Sequence, residues 1–569
     1  MHKRFRPLVL VSLLSLPLFA AVSSEPLFDA VRNEDQNAVA ALLNKRINVN
    51  AQEEDGATPL AWAAMRSNVQ IAALLLKAGA NPNLLNEQGI GPLYLAITNG
   101  SSSLAQLLLS KGADPNIVRE DGETPLLTAT HTCQIDVMKM LLDRGANVNA
   151  RYKKFAQTAL MWAAGCPAAT RLLLAHGADP QAITKVWNIT ATIYIPSTVT
   201  LGKTGIPWNN DGAYASKVGG QNALLFAVQK HDLESVKMLL DVGIDVNSAA
   251  ADGTTPLLAA LYKFDPLEKE FVAGTGAPAA SGSSVHFGAD IPMARFLLDE
   301  GAKVNVADTP GYTPLHGAAL AVADLASPNK DRSAYGGGHV RAVHLEEPKL
   351  NAATQTKVDE ALVIVRRLLD AGADPNRQTL YPTSGPVGDV RLNPAPPGSS
   401  AFHIAADSDC LALIKMMADH GANPNLVRKD GHTPFSVAVL SNDLPVVKEM
   451  IARGADLTLI YNPTDHFSDP VKPISLIRGK QSIMHIAAGG GESQMIEYLH
   501  SLGVPLDLKN ASGETPLDLA DEQERYRAAR EREGAEDHPE RKIVRDSSTS
   551  DMLKKLMAKP AESVSVASK

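Results

Sequence analysis

One stretch constrains this chain more than any bulk property. Residues 55–83, DGATPLAWAAMRSNVQIAALLLKAGANPN, return in edited form along almost its whole length. Thr58 can cap a helix by accepting a hydrogen bond from a first-turn amide, and Pro59 follows at the first helical position, where a missing N–H costs nothing. Leu60, Trp62, Ala63 and Ala64 give a short first helix a narrow apolar face; Val69, Ile71, Leu74, Leu75 and Leu76 give a second helix a broader one. Gly79 supplies the left-handed residue that ends it. Asn81, Pro82, Asn83 and Gly89 are turn formers, so the chain reverses through an exposed loop before the next copy. Counting from Thr58, further copies start at Gly91, Thr124, Thr158, Asn222, Thr255, Thr313, Ser400, Thr433, Ser482 and Thr515, at intervals of 33, 33, 34, 64, 33, 58, 87, 33, 49 and 33 residues. The ending recurs too: LLLSKGADPN closes at Asn116, MLLDRGANVN at Asn149, MLLDVGIDVN at Asn247, LLDAGADPN at Asn376 and MMADHGANPN at Asn425.

This helix, turn, helix, loop unit resembles the ankyrin repeat in its 33-residue period and its T-P-L-H-x-A start. The resemblance covers residues 25–558 and implies an all-α solenoid of about twelve units with β-hairpin-like loops. One elongated array is therefore expected rather than several globular domains. The composition agrees: 45% hydrophobic but only 5% aromatic residues suit thin layers of Ala and Leu. Residues 26–50 read as a first repeat with a more polar leading helix, departing from the pattern at Arg46, where a terminating glycine is expected. The segment FAQTALMWAAGCPAATRLLLAHGADP also resembles a group of exported bacterial ankyrin-repeat proteins, which adds no reaction.

Residues 1–23 read as an address. MHKRFRP carries three basic residues besides His2, LVLVSLLSLPLFA is an apolar run of 13, and Ala21, Val22 and Ser23 offer small residues before a cut. That is the layout of a secretory signal peptide, too short to span a membrane. Export is expected, to the periplasm in a Gram-negative bacterium and otherwise to the exterior, with no membrane span. The net charge of -8 lacks the basic footprint of a nucleic-acid binder. The expected partner is a protein, bound by a monomer.

Four intervals exceed the period, by 31, 25, 54 and 16 residues, and each excess is expected to leave the stack as a loop. Residues 181–220 are rich in Ile, Thr, Tyr and Val and read as a lengthened β-finger. Residues 263–289 suit a flexible excursion. The third excess divides between 324–357 and 377–399, and the fourth is 461–480. In the last repeat, 549–558 is the expected second helix, 521–546 a solvated helix of mixed charge, and 559–569 a disordered tail.

Three cysteines do not make a disulfide framework. Cys133 and Cys166 occupy the helix-helix turns of neighbouring repeats. Stacked helices lie about 8–10 Å apart, whereas bridged Cα atoms are usually within about 7 Å. Two small buried thiols are therefore favoured; a Cys133–Cys166 disulfide requires an irregular turn, such as Pro167 and the 34-residue interval could provide.

Catalytic chemistry is sparse, and no cofactor or metal is expected. LGKTG at 201–205 lacks the glycine of a phosphate loop, having Ser197 there, and Pro207 denies the helix that would follow. His316, His403 and His485 occupy the fourth position of the T-P-L-H pattern, where the resemblance implies that the ring braces neighbouring backbone. His339, His344, Glu346 and Glu347 form a metal-dependent alternative, but the histidines are five apart and neither HExxH nor CxxC occurs. Trp62 and Trp162 replace Leu, Phe or Ile of other copies and are expected in the core. The better indication is placement: loops and first helices of such arrays bind partners, and anchors are typically aromatic or Arg. The loop ARYKKF offers Tyr152, Lys153, Lys154 and Phe155, and the first insertion adds Trp187, Tyr194, Trp208 and Tyr214. These eight residues are the candidate partner site; equally, the insertion's aromatics could simply pack it onto the array. The function expected is an exported non-enzymatic scaffold, the alternatives being a small active site among the insertions or a secreted effector with a foreign target.

Overall fold

The start of each copy folds as its capping chemistry dictates. Thr58 accepts a hydrogen bond from the Ala61 amide at 3.1 Å, and the helix Pro59–Met65 begins there. Thr124, Asn222, Thr255, Ser400 and Thr433 cap their helices in the same way. Asn68 caps the second helix, Val69–Lys77, which buries Ile71, Ala72, Leu75 and Leu76. Gly79 then takes φ 93°, with open space where a Cβ would stand.

The computed structural model describes residues 24–45, 47–192, 213–262, 289–326, 350–380, 398–428, 431–461, 480–490, 493–522, 524–525 and 549–558. The 1–23 segment, Arg46, most of the insertions and the 559–569 tail lie outside them. The chain divides into two blocks, Met1–Asp179 and Pro180–Lys569. In the first block the described helix pairs are Glu25–Arg32 with Gln36–Leu43, Pro59–Met65 with Val69–Lys77, Pro92–Thr98 with Ser102–Ser110, Pro125–His131 with Ile135–Leu142, and Ala159–Trp162 with Pro167–Ala175. First helices pack on first helices and second on second, so each layer buries its apolar side against the next.

The recurrent closing Asn bonds successive layers in a way that its turn-forming role did not foretell. The Asn83 amide donates to the Gly112 carbonyl at 2.9 Å, while its oxygen accepts from the Asp114 N–H at 2.7 Å. Asn116 repeats both bonds with Gly145 and Asn147, and Asn149 with Gly177 and Asp179. In the second block Asn376 and Asn425 do the same.

The second block contains the helix pairs Ala223–Gln229 with Leu233–Asp241, Pro256–Leu261 with Ile291–Asp299, Pro314–Ala326 with Ala352–Asp370, Ala401–Ala406 with Leu411–Asp419, Pro434–Leu440 with Leu444–Ala452, and Ile483–Gly490 with Ser493–Ser501; Thr549–Met557 follows. The first insertion is a hairpin: β1 (Trp187–Thr192) pairs antiparallel with β2 (Ala213–Val218). The third departs from expectation. Pro314–Ala326 has 13 residues and Ala352–Asp370 has 19, so the helical layer absorbs part of the excess. Asn351 caps the longer helix by accepting from the Thr354 amide, and Val358 and Ala361 extend its buried stripe beyond Ile364, Val365, Leu368 and Leu369.

His316, His403 and His485 brace backbone. Each Nδ1 accepts from the N–H three residues before, at 3.2, 3.1 and 3.2 Å. Each Nε2 then donates to the next loop, on Ser399, His432 and Glu514. Burial lowers the His316 pKa to about 4, which keeps the ring neutral.

Candidate protein-binding surface

The loop between the fourth and fifth helix pairs is held before any partner arrives. Arg151 and Thr158 form an antiparallel bridge. Within it the Tyr152 amide donates to the Gln157 carbonyl at 2.8 Å, and the Ala156 amide to the Tyr152 carbonyl at 2.7 Å. The Lys153 amide reaches across to the Asp121 carbonyl at 3.0 Å and fastens this tip to the preceding one. Gly122 makes that approach achievable. It has φ 87°, and a Cβ there would stand 2.6 Å from the Lys153 nitrogen.

On this frame Tyr152 and Phe155 have ring centroids 6.2 Å apart, and Tyr152 stands 5.7 Å from Trp162. The Lys154 ammonium lies 4.6 Å from the Phe155 ring, a cation–π geometry. His131, at the end of the neighbouring first helix, meets the Trp162 edge at 5.5 Å. Tyr152, Phe155 and Trp162 are half-buried; Lys153, Lys154, Arg151 and His131 are exposed. Beneath them Arg119 pairs with Asp121 at 3.2 Å and Glu123 at 2.7 Å, and the Thr128 hydroxyl donates to Glu123. Burial, then the Asp121 and Glu123 carboxylates, raise the Tyr152 pKa, so its hydroxyl stays protonated and able to donate.

The tryptophans correct the sequence reading. Trp62 and Trp162 are half-buried, not core. Both stand four residues after the helix-starting Thr, and the column they share contains Leu95 and Thr128 in the intervening copies, likewise half-buried. In Pro59–Met65 the packed positions are Leu60, Ala61, Ala63 and Ala64, leaving Trp62 on the open side. There its indole donates to Glu53 at 2.7 Å and lies under the Arg32 guanidinium at 4.7 Å; Arg32 also pairs with Glu53.

Cys133 and Cys166 form a disulfide, where two buried thiols were favoured, and Cys133 is exposed. The reason is local. Cys133 is the left-handed turn residue, φ 54°, whereas in the next copy Gly165 takes that role and Cys166 follows as the helix cap before Pro167. The offset brings the Cα atoms to 6.2 Å. Cys410 is a free thiol.

Trp187 and Tyr214 belong to the second block, Trp187 half-buried opposite Val218 and Tyr214 in register with Ala191. Tyr194 and Trp208 lie outside the described residues, as do His339, His344, Glu346 and Glu347. Among the described residues no group of His, Cys, Asp and Glu is arranged to hold a metal, and no helix is long and apolar enough to cross a membrane. A cleft lined by Lys237, Leu240, Asp241, Phe296 and Glu300 holds ≈ 220 Å³, below the roughly 300–1,000 Å³ of small-molecule sites.

Comparison with known proteins bears on the repeat itself. A model described as Ankyrin repeats (3 copies) matches residues 27–119, 93–184 and 350–461, and one described as Ankyrin repeats (many copies) matches 471–520. The Caenorhabditis elegans Transient receptor potential cation channel subfamily A member 1 homolog is 26% identical over 229 residues, 40% of this chain and 16% of its own. The human Ankyrin repeat and MYND domain-containing protein 1 is 29% identical over 240 residues, 36% of this chain and 24% of its own. Rat Cyclin-dependent kinase 4 inhibitor B is 36% identical over 119 residues, 21% of this chain and 79% of its own. The chain thus spans under a quarter of the length of the first two.

Proposed function

The chain belongs to the ankyrin-repeat family, and from that premise we propose that it is an exported, non-enzymatic scaffold that holds a protein partner on the open side of its first block. One observation carries the reading: Tyr152 packs against both Phe155 and Trp162, all three half-exposed, where a loop of already clamped backbone meets the helix Ala159–Trp162. Such anchors contribute affinity because little conformational freedom remains to be lost on binding. The rat relative is by its name an inhibitor of a kinase, which is to say of a protein. Two features support export: the layout of residues 1–23, and a disulfide of the kind that persists in oxidising compartments.

The test is capture from the exported fraction by the tagged mature protein and by a Tyr152→Ala/Trp162→Ala variant of unchanged helical content. A reproducible partner should be lost from the variant. Equal recovery on both would remove this surface from the reading. Retention of the full-length product in the cytoplasm, with no loss of residues 1–23, would remove export.

A further inference from the structure

The loop tips of the first block form a row with a charge reversal, and resting on the protein-binding reading, we infer that its partner presents an extended, bipolar segment. That segment is basic where it crosses the first three tips, acidic over the fourth, and carries an aromatic or aliphatic side chain for the Tyr152–Phe155–Trp162 cluster.

The first tip carries Glu54 and Asp55, the second Glu87, the third Glu120, and the fourth Lys153 and Lys154, all six exposed. Asp121 on the third tip is already paired with Arg119. The Glu87 amide donates to the Asp55 carbonyl at 2.9 Å and the Lys153 amide to the Asp121 carbonyl at 3.0 Å, so the first tip is tied to the second and the third to the fourth through backbone. Glycine permits the contact: a Cβ on Gly56 would stand 3.0 Å from the Asn86 Cα, and one on Gly122 2.6 Å from the Lys153 nitrogen.

Four tips span three repeat intervals of about 8–10 Å each, or about 24–30 Å. An extended chain advances about 3.3 Å per residue, so about eight or nine residues cover the row. Screening acts over about 8 Å at physiological salt, so each tip senses chiefly the charge lying directly over it. A uniformly basic ligand is attracted by the first three tips but repelled at the fourth, and a uniformly acidic one the reverse, so only a bipolar segment is matched along the whole row. A nucleic acid or an anionic membrane would meet carboxylates on three tips of the four. The charges select polarity and register, while the aromatic cluster supplies most of the affinity.

The experiment uses the whole protein and four labelled ten-residue peptides sharing a central Phe-Leu pair. One has Lys on one side and Asp on the other, one is uniformly acidic, one uniformly basic and one neutral. Binding is read by fluorescence anisotropy at low and high salt. The bipolar peptide should bind about tenfold more tightly than either uniform one, equivalent to about 1.4 kcal/mol, and the margin should shrink in high salt. Lys153→Glu/Lys154→Glu, changed at exposed positions, should transfer the preference to the uniformly basic peptide. Equal binding of bipolar and uniform peptides overturns the inference, as does a preference untouched by the double charge reversal. Equal binding of all four that Trp162→Ala abolishes overturns the polarity alone and leaves the protein-binding surface standing. Absence of binding by every peptide overturns the extended-segment inference, and partner capture then decides the scaffold reading by itself.

Discussion

Removing the Cys133–Cys166 bridge should loosen one end of the first block without unfolding the rest. The bridge closes a loop with a sequence separation of 33. In the chain-entropy account a loop of that length stabilises the folded state by about 3.7 kcal/mol at 25 °C. Cys133→Ser/Cys166→Ser should approach that figure, because Cys133 is exposed and serine at buried Cys166 is close in volume to the side chain it replaces. In a stack where each layer touches only its neighbours, the loss falls on the interface the bridge spans. The layer at risk is Ala159–Trp162 with Pro167–Ala175, whose first helix has four residues and whose Thr158 makes no capping bond. Hydrogen exchange reads this directly: protection of amides in Pro167–Ala175 should fall by about 500-fold, the equilibrium equivalent of about 3.7 kcal/mol. Amides in Pro59–Met65 and Val69–Lys77 should change little. Reductant should reproduce the effect in the unsubstituted protein. Unchanged protection in Pro167–Ala175, or three reactive thiols in the denatured, unreduced protein where Cys410 alone is expected, would refute the reasoning.

Three further outcomes follow from the geometry. Gly122→Ala places an L side chain at φ 87° and against the Lys153 nitrogen, costing about 2–3 kcal/mol from left-handed strain plus the lost tip bond; Gly79→Ala, at φ 93° with nothing within 4 Å, should cost only the strain of about 1–2 kcal/mol, and paired urea titrations compare them. Asn116→Ala deletes the bonds to Gly145 and Asn147 and should cost about 1–2 kcal/mol, with exchange quickening at the ends of both helix pairs it joins. In the second block two groups, the buried His316 and the half-buried Asp308, titrate in opposition. Burial holds His316 at about 4, below its unfolded 6.5, so its contribution is present above pH 6.5 and is lost as pH falls toward 4. Burial raises Asp308 from 3.8 to about 7, so its contribution is present below 3.8 and is lost as pH rises to 7. Between pH 4 and 6.5 the two slopes, each about 1.4 kcal/mol per pH unit, oppose one another. Asp308→Asn should therefore make the stability of this block fall more steeply with acid, and His316→Gln should make it rise; urea midpoints at pH 4.5, 5.5 and 6.5 show the sign, and parallel profiles would contradict it.

The repeats could be read from the sequence because each of their signals acts within a few residues. Thr58 caps Ala61, Pro59 fits the first turn, and Gly79 turns the chain; none needs a distant partner. Tyr152, Lys153, Lys154 and Phe155 could be placed on a loop for the same reason, since the stretch between two recognised helices must reverse the chain wherever the array stands; that Tyr152 and Phe155 are half-buried there is set by their contacts with each other and with Trp162. Trp62 and Trp162 were misassigned because apolar character does not say which side of a short helix faces a neighbour. The indication was present in the column itself: Thr128, polar and at the same position of an intervening copy, marks a row that the core does not claim. His131 and the Arg119 network give no such indication, for they meet the cluster only across repeats.

What the sequence determined by itself is the layer: two short helices, their caps and the loop between copies. What tertiary structure alone decided is how layers meet: the Asn83, Asn116 and Asn149 bonds to the following copy, the 6.2 Å approach of Cys133 to Cys166, and the lengthening of Ala352–Asp370 into its insertion. The division has one physical cause. Backbone conformation is set by steric and hydrogen-bonding terms a few residues long, whereas exposure, bridging and the pairing of charges depend on the distance to atoms a full repeat away, which exists only once the stack has formed.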